Sequence, residues 1–174
     1  GLYPHQSGMG YLDSMHKPEW PGYQGRLNEE CVTIAEVLKP SGYFTCMTGK
    51  WHLGFNRGST PASRGFDRSL NLRSGGTYFP DQKDKQNEPI YLNGEKISRT
   101  DPRIGDSWYS TYLWSEWGLK FIDEARSEQK PFFLYMAYCA PHFPLMAPQV
   151  DIHRNRGKYM EGWDTLREKR YQRQ

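Results

Sequence analysis

A lysine and a histidine two residues apart can present two donors to one anion. That pair stands in Thr48-Gly49-Lys50-Trp51-His52-Leu53-Gly54. The glycines let the backbone turn tightly and approach a ligand closely. Lysine brings a compact positive charge. Histidine can donate to an oxygen and pass a proton near neutral pH. A second histidine, His142, sits between prolines in Ala140-Pro141-His142-Phe143-Pro144. One lysine and two histidines, with no carboxylate or thiol motif beside them, suit the binding of a tetrahedral oxyanion. The chain has no nucleophile in an activated setting, neither a Gly-x-Ser-x-Gly elbow nor a Walker loop. Cys46, four residues before Lys50 in an apolar run, reads as a small core residue.

Each candidate also has an ordinary reading: Lys50 as a surface lysine, His52 as a hydrogen-bonded structural histidine, His142 as a turn residue. The elements around them favour the functional reading. Thr33-Ile34-Ala35-Glu36 fits a capping box that starts a short helix, ended by Pro40 and Gly42. Tyr43–Met47 then reads as a strand, and Thr48–Gly54 leaves its C-terminal end. Tyr109, Leu113, Trp117, Phe121 and Ala125 recur every four residues, which predicts a helix from about 108 to 126 with a core stripe. Phe132–Tyr138 is a continuous apolar run that suits a strand covered on both faces. Its exit is the loop that carries His142. In open α/β sheets, ligands bind outside the carboxyl ends of the strands. Two such exits from one parallel sheet would bring Lys50, His52 and His142 together, and one geometry then accounts for all three.

The remaining segments read as support. Residues 1–28, with His5 and His16, are punctuated by Gly and Pro and read as loop. Residues 55–89 read as mostly irregular. Arg57, Arg64 and Arg68 fall there, followed by Gly75-Gly76-Thr77-Tyr78-Phe79 and a polar run from Asp81 to Glu88. A solvated surface loop is the favoured reading, and a substrate-facing aromatic loop the alternative. Asn93-Gly94 between Ile90–Leu92 and Glu95–Ile97 predicts a hairpin. The charged tail from Asp151 to Gln174 reads as a solvated helix face.

Composition narrows the class. The chain's 174 residues allow one domain with a real core, and 15% aromatic content argues against disorder. A net charge of only +3 excludes a basic field of the kind that binds nucleic acid. No apolar run is long enough to cross a bilayer. Cys31, Cys46 and Cys139 are too few and too scattered for a zinc ribbon or a disulfide framework. The chain opens Gly1-Leu2-Tyr3-Pro4, without an initiator methionine or a signal peptide, and reads as starting inside a domain.

These residues resemble a known family. Gly42-Tyr43-Phe44-Thr45 followed by Thr48–Gly54 is similar to the second signature of the type I, formylglycine-dependent sulfatases (arylsulfatases). Pro131-Phe132-Phe133-Leu134-Tyr135 followed by Ala140–Pro144 is similar to the family segment that carries a substrate-contacting histidine. Gly1-Leu2-Tyr3-Pro4-His5 resembles the residues just after the first signature, Cys-x-Pro-Ser-Arg. The resemblance runs over nearly the whole chain, and Gly-Lys-Trp-His-Leu-Gly is its most specific part.

The resemblance implies an α/β fold, an alkaline-phosphatase-like sandwich with a mostly parallel central sheet. Residues 1–174 would be the central part of a single catalytic domain, truncated at both ends. It implies a sulfuric ester hydrolase whose formylglycine nucleophile lies upstream, with a Ca²⁺ ion whose ligands also lie outside. No metal ligand is assigned in this chain. By the family pattern, Lys50 and His142 would contact the sulfate. His52 would hold the formylglycine hydroxyl and help its sulfated form collapse, and His142 would be the general acid. The substrate would be a sulfated small molecule or carbohydrate, and the protein would be exported to a periplasmic, secreted or lysosomal location. Two rival readings remain: a phosphatase or phosphonate monoester hydrolase of the same superfamily, and a non-catalytic relic that binds sulfated glycans. Alone, the 174 residues are expected to be inactive and poorly soluble, because a sheet cut at both ends exposes edges and apolar faces.

Overall fold

Thr33 starts the first helix, α1 (Ile34–Leu38), as expected. Its Oγ1 accepts from the Glu36 N–H at 3.1 Å, and the Glu36 carboxylate accepts from the Thr33 N–H at 2.7 Å. Pro40 then lies in a single tight turn, and Gly42 takes a left-handed φ of 85° that ends the helix. The computed structural model describes residues 1–11, 17, 19–56, 58–83 and 88–174. His16, Arg57 and part of the 81–88 polar run lie outside the described residues.

Strand β1 (Phe44–Lys50) extends further than expected: Thr48, Gly49 and Lys50 belong to it and not to the loop. The reason is that β1 is paired in parallel on both sides. β5 (Phe132–Ala137) runs beside it from Phe44↔Phe132 to Gly49↔Ala137, and β2 (Arg68–Leu72) from Cys46↔Arg68 to Lys50↔Leu72. Backbone groups in such a central position must be paired, so the ladder continues to the last residue that has partners.

β2 corrects the irregular reading of 55–89. Leu70 and Leu72 point into the core, while Ser69 and Asn71 are buried on the opposite face. Polar residues at three of five positions hide the strand from a hydrophobicity reading. Asn93 compensates Ser69: its Oδ1 accepts the Ser69 N–H at 2.9 Å, and its own N–H donates to the Ser69 carbonyl at 2.8 Å. The hairpin forms as expected between β3 (Ile90–Leu92) and β4 (Glu95–Ile97), with left-handed φ at Asn93 (51°) and Gly94 (86°). The sheet order is β4-β3-β2-β1-β5, parallel in β5-β1-β2 and antiparallel in the hairpin.

Helix α2 (Ser110–Ser127) packs Leu113, Trp114, Phe121 and Ala125 against Phe44, Cys46, Leu70 and Leu72. Full burial of one such large apolar side chain contributes about 1.5–3 kcal/mol. Gly118 lets the helix come close, since a Cβ there would lie 3.3 Å from Leu134 Cδ2. A second, smaller core on the other face joins Ala35, Met47, Trp51 and Phe66. β5 is less covered than its apolar run suggested. It pairs only with β1 among the described residues, and Phe132 and Tyr135 are 44% and 41% exposed. Helices α3 (Gln149–Asn155) and α4 (Trp163–Arg173) bury no residue, in line with a solvated tail.

Arg64 is not the solvated loop arginine its setting suggested. It is 6% exposed, donates to Glu36 Oε1 at 2.7 Å, and also holds the carbonyls of Asn28 and Cys31. It thereby ties the N-terminal loops to α1. Burial acts to raise the Glu36 carboxyl, but Arg64 and Thr33 outweigh it and leave Glu36 below its ordinary 4.5. A depressed folded-state value means that this stabilisation is complete above about pH 4.5 and is lost as acid protonates Glu36. Urea unfolding followed below pH 5 should therefore show a smaller acid-induced loss of stability in Glu36→Gln than in wild type.

Gly49 allows no side chain. Its φ is 104°, and a Cβ would stand 2.0 Å from the Ala137 carbonyl oxygen. Gly49→Ala is expected to cost about 3 kcal/mol or more, from left-handed strain and overpacking together. Denaturant midpoints of the two proteins measure the difference.

Candidate active site

Lys50 is the last residue of β1. Strand alternation puts its side chain on the α2 face with Phe44, Cys46 and Thr48, and it is half-buried. Its charge acts on the Cys139 thiol, two residues past the end of β5. Burial pushes that thiol up to about 11, while Lys50 pulls it down. Cys139 is therefore a neutral thiol at physiological pH. Cys46 is pushed further, to about 12, again first by burial, and neither sulfur is poised as a nucleophile.

Trp51 points the other way. It is 4% exposed, meets Phe66 edge-on at 5.9 Å, and donates from Nε1 to the Ser59 carbonyl at 2.7 Å. The backbone N–H groups of Trp51 and His52 donate to the carbonyls of Leu72 and Arg73 at 3.1 and 2.8 Å, so the pairing with β2 outlasts the strands. His52 then takes a left-handed φ of 55°, which is uncommon for a residue with a side chain. That kink turns the chain out of the sheet. Gly54 completes the turn, where a Cβ would collide with Ser59 and Arg26.

The His142 turn leaves from β5, the neighbour of β1, on the same side of the sheet. Its N–H donates to the Cys139 carbonyl at 2.9 Å. The turn is therefore built on the residue whose thiol senses Lys50. The imidazole is exposed, and its Nδ1 lies 2.5 Å from the Phe143 carbonyl oxygen. A carbonyl can only accept, so Nδ1 carries the proton and Nε2 is the outward nitrogen. Protonated, that nitrogen is a donor; neutral, it is an acceptor.

The sequence missed Tyr78. Gly76, Thr77 and Tyr78 are buried, so this part of the 73–89 loop is not solvated. The phenol of Tyr78 donates to the His142 carbonyl at 2.6 Å. The only sequence signal is an aromatic pair, Tyr78-Phe79, set after two glycines in a polar stretch. Beside His142 opens a cleft of about 360 Å³, lined by Tyr78, Tyr109, Pro141, Leu145, Met146 and Ile152. A larger cavity of about 620 Å³ lies on the other face, among Leu2, Val32, Ile34, Trp51, Phe66 and Tyr135. It is apolar, and neither Lys50, His52 nor His142 lines it, so volume does not mark the chemistry here.

The described residues do not fit a calcium site. No three His, Cys, Asp or Glu side chains among them come together. Several of the carboxylates are already engaged, Glu36 with Arg64, Asp67 with Lys39, and Glu88 with Ser74. No helix among them is long and apolar enough to cross a membrane.

The sulfatase family model matches residues 1–173. The chain belongs to the sulfatase family. An arylsulfatase of Klebsiella aerogenes is 36% identical over 167 residues, covering 91% of this chain and 34% of that protein. An uncharacterized sulfatase of Schizosaccharomyces pombe is 36% identical over 162 residues, covering 88% of this chain and 29% of that protein. Among solved structures, Ps i-CgsB in complex with k-i-k-neocarrahexaose superimposes with a TM-score of 0.72 at 30% identity. That match covers 87% of this chain and 35% of the other. The mixed, mostly parallel open sheet is thus that of the sulfatases, with their alkaline-phosphatase-like fold. The sulfatase chain described here spans about a third of the length of these relatives.

The left-handed backbone at His52 can be tested directly. Asparagine tolerates that conformation and β-branched residues do not. His52→Val should lose about 1–3 kcal/mol of stability and His52→Asn clearly less, as read by thermal unfolding.

Proposed function

We propose that the protein containing this chain is a sulfuric ester hydrolase and that these residues form part of its sulfate pocket. The observation that carries this reading is the placement of Gly49–Gly54. Its first two residues end a central strand and the rest leave that strand's C-terminal end, directly beside the strand whose exit carries His142. Lys50 supplies a fixed positive charge to a sulfuryl oxygen. His52 donates to the groups at the reacting centre from a kinked loop. His142, with Nδ1–H committed to the Phe143 carbonyl, gives the proton on Nε2 to the departing alcohol. The formylglycine nucleophile and a calcium ion belong to this reading by family likeness alone, and both would come from outside the described residues.

A sulfated carbohydrate is the substrate class we favour. The supporting observation is that a structural neighbour at 30% identity is in complex with k-i-k-neocarrahexaose. Residues 1–174 would then be the central part of one catalytic domain, and the parent protein would be exported, as suits extracellular or lysosomal sulfated glycans.

The test uses the full-length protein with an aryl sulfate and the matching aryl phosphate. Lys50→Ala and His142→Ala should each lower sulfate turnover by about 100-fold or more while the protein stays folded. Wild-type turnover in both variants would overturn the assignment. Faster turnover of the phosphate would favour the phosphatase reading. Binding of sulfated glycan without turnover would favour the non-catalytic one.

A further inference from the structure

His142 is exposed, yet its orientation is tightly specified. Among the described residues, three hydrogen bonds hold it. Its N–H is bound to Cys139, its Nδ1 to Phe143, and its carbonyl receives the Tyr78 phenol at 2.6 Å. The first two come from within the turn itself. Of the three, the last reaches beyond the turn, across 64 positions of sequence.

Tyr78 is well placed to act as that anchor. It is 1% exposed and stacks on Tyr109 at 6.2 Å. Its backbone N–H donates to Gln82 Oε1 at 2.7 Å, and the Gln82 amide in turn donates to the Gly76 carbonyl at 3.0 Å. Its carbonyl accepts the N–H of Ser110, the first residue of α2, at 2.9 Å. The tyrosine is thus fixed from both sides of its own peptide before its phenol reaches His142. Burial raises the phenol to about 12, so it remains a donor throughout the physiological range. A buried hydroxyl is costly unless it finds a partner, and here the partner is the peptide of the candidate proton donor. The same ring forms a wall of the cleft beside His142.

We propose that Tyr78 is a positioning residue for sulfate ester cleavage: by anchoring the His142 carbonyl to the α2 side of the core, it sets the direction in which Nε2 meets the leaving oxygen. This rests on the reading of His142 as general acid. Small displacements of a proton donor are costly to rate even when binding is intact. Tyr78 therefore acts on kcat, and it acts most where the leaving group needs a proton. An alkoxide from an alkyl or sugar sulfate needs one, whereas 4-nitrophenolate departs readily without one.

The experiment measures kcat and KM of the full-length enzyme on 4-nitrophenyl sulfate and on a simple alkyl or monosaccharide sulfate. Wild type, Tyr78→Phe, Gln82→Met and His142→Ala are compared. Tyr78→Phe should lower kcat on the alkyl or sugar sulfate by about 10- to 100-fold, lower it much less on 4-nitrophenyl sulfate, and leave KM nearly unchanged. Gln82→Met removes the anchor of Tyr78 and keeps the phenol. It should show the same leaving-group bias to a smaller extent, and it carries the test if Tyr78→Phe fails to fold. Wild-type kcat on both substrates, or equal losses on both, in whichever of these two variants folds, would overturn the proposal. If His142→Ala is impaired while those variants match wild type, only the role of Tyr78 falls. If His142→Ala matches wild type, the role of His142 falls with it.

Discussion

The contact on which the rest depends is the backbone approach of β1 to β5 at Gly49. No side chain fits between that glycine and the Ala137 carbonyl oxygen. The two strands can therefore run in register as far as Gly49 and Ala137, and both chain exits leave from one end of the sheet. Lys50 and the His142 turn inherit their neighbourhood from that register. A wider spacing at Gly49 would move Lys50 and the His52 loop relative to the turn that carries His142.

From that point the chain sorts successive residues to opposite sides. Lys50 goes toward α2 and the Cys139 thiol, and Trp51 goes toward Phe66 and Ser59. The tryptophan in the sulfatase hexapeptide is thus a plug for the smaller core, and its hydrogen bond to Ser59 secures the loop from below. His52 follows with a left-handed backbone held by the Arg73 carbonyl. One charged residue, one buried aromatic and one kinked histidine each do a separate task within three positions.

The α2 face completes the arrangement from the other direction. Trp114 and Phe121 hold the helix on the sheet, and the N–H of Ser110 at its start fixes the Tyr78 carbonyl. Tyr78 then reaches the His142 turn. The end of the sheet from which both exits leave is therefore braced by β2 beneath His52 and by the 76–82 loop beneath His142.

Local chemistry made several elements legible in the sequence. The Thr33/Glu36 capping box, the Asn93-Gly94 turn and the four-residue stripe of α2 are interactions between near neighbours, so residue types at fixed spacing suffice to read them. The Lys50-Trp51-His52 signature identified the family for the same reason, since its roles are packed into a few positions. What the sequence could not decide were contacts made across long separations. β2 was hidden because Ser69 and Asn71 are buried by the sheet around them, with Asn93 pairing the Ser69 backbone. Arg64 read as a loop cation because its carboxylate, Glu36, lies 28 residues away. Tyr78 read as part of a solvated loop because its reason for burial is the His142 carbonyl, 64 positions on. Sequence alone determined the family and named the candidate residues; only the tertiary structure decided which buried groups hold them in place, because that depends on a register set by backbone hydrogen bonds rather than by side-chain pattern.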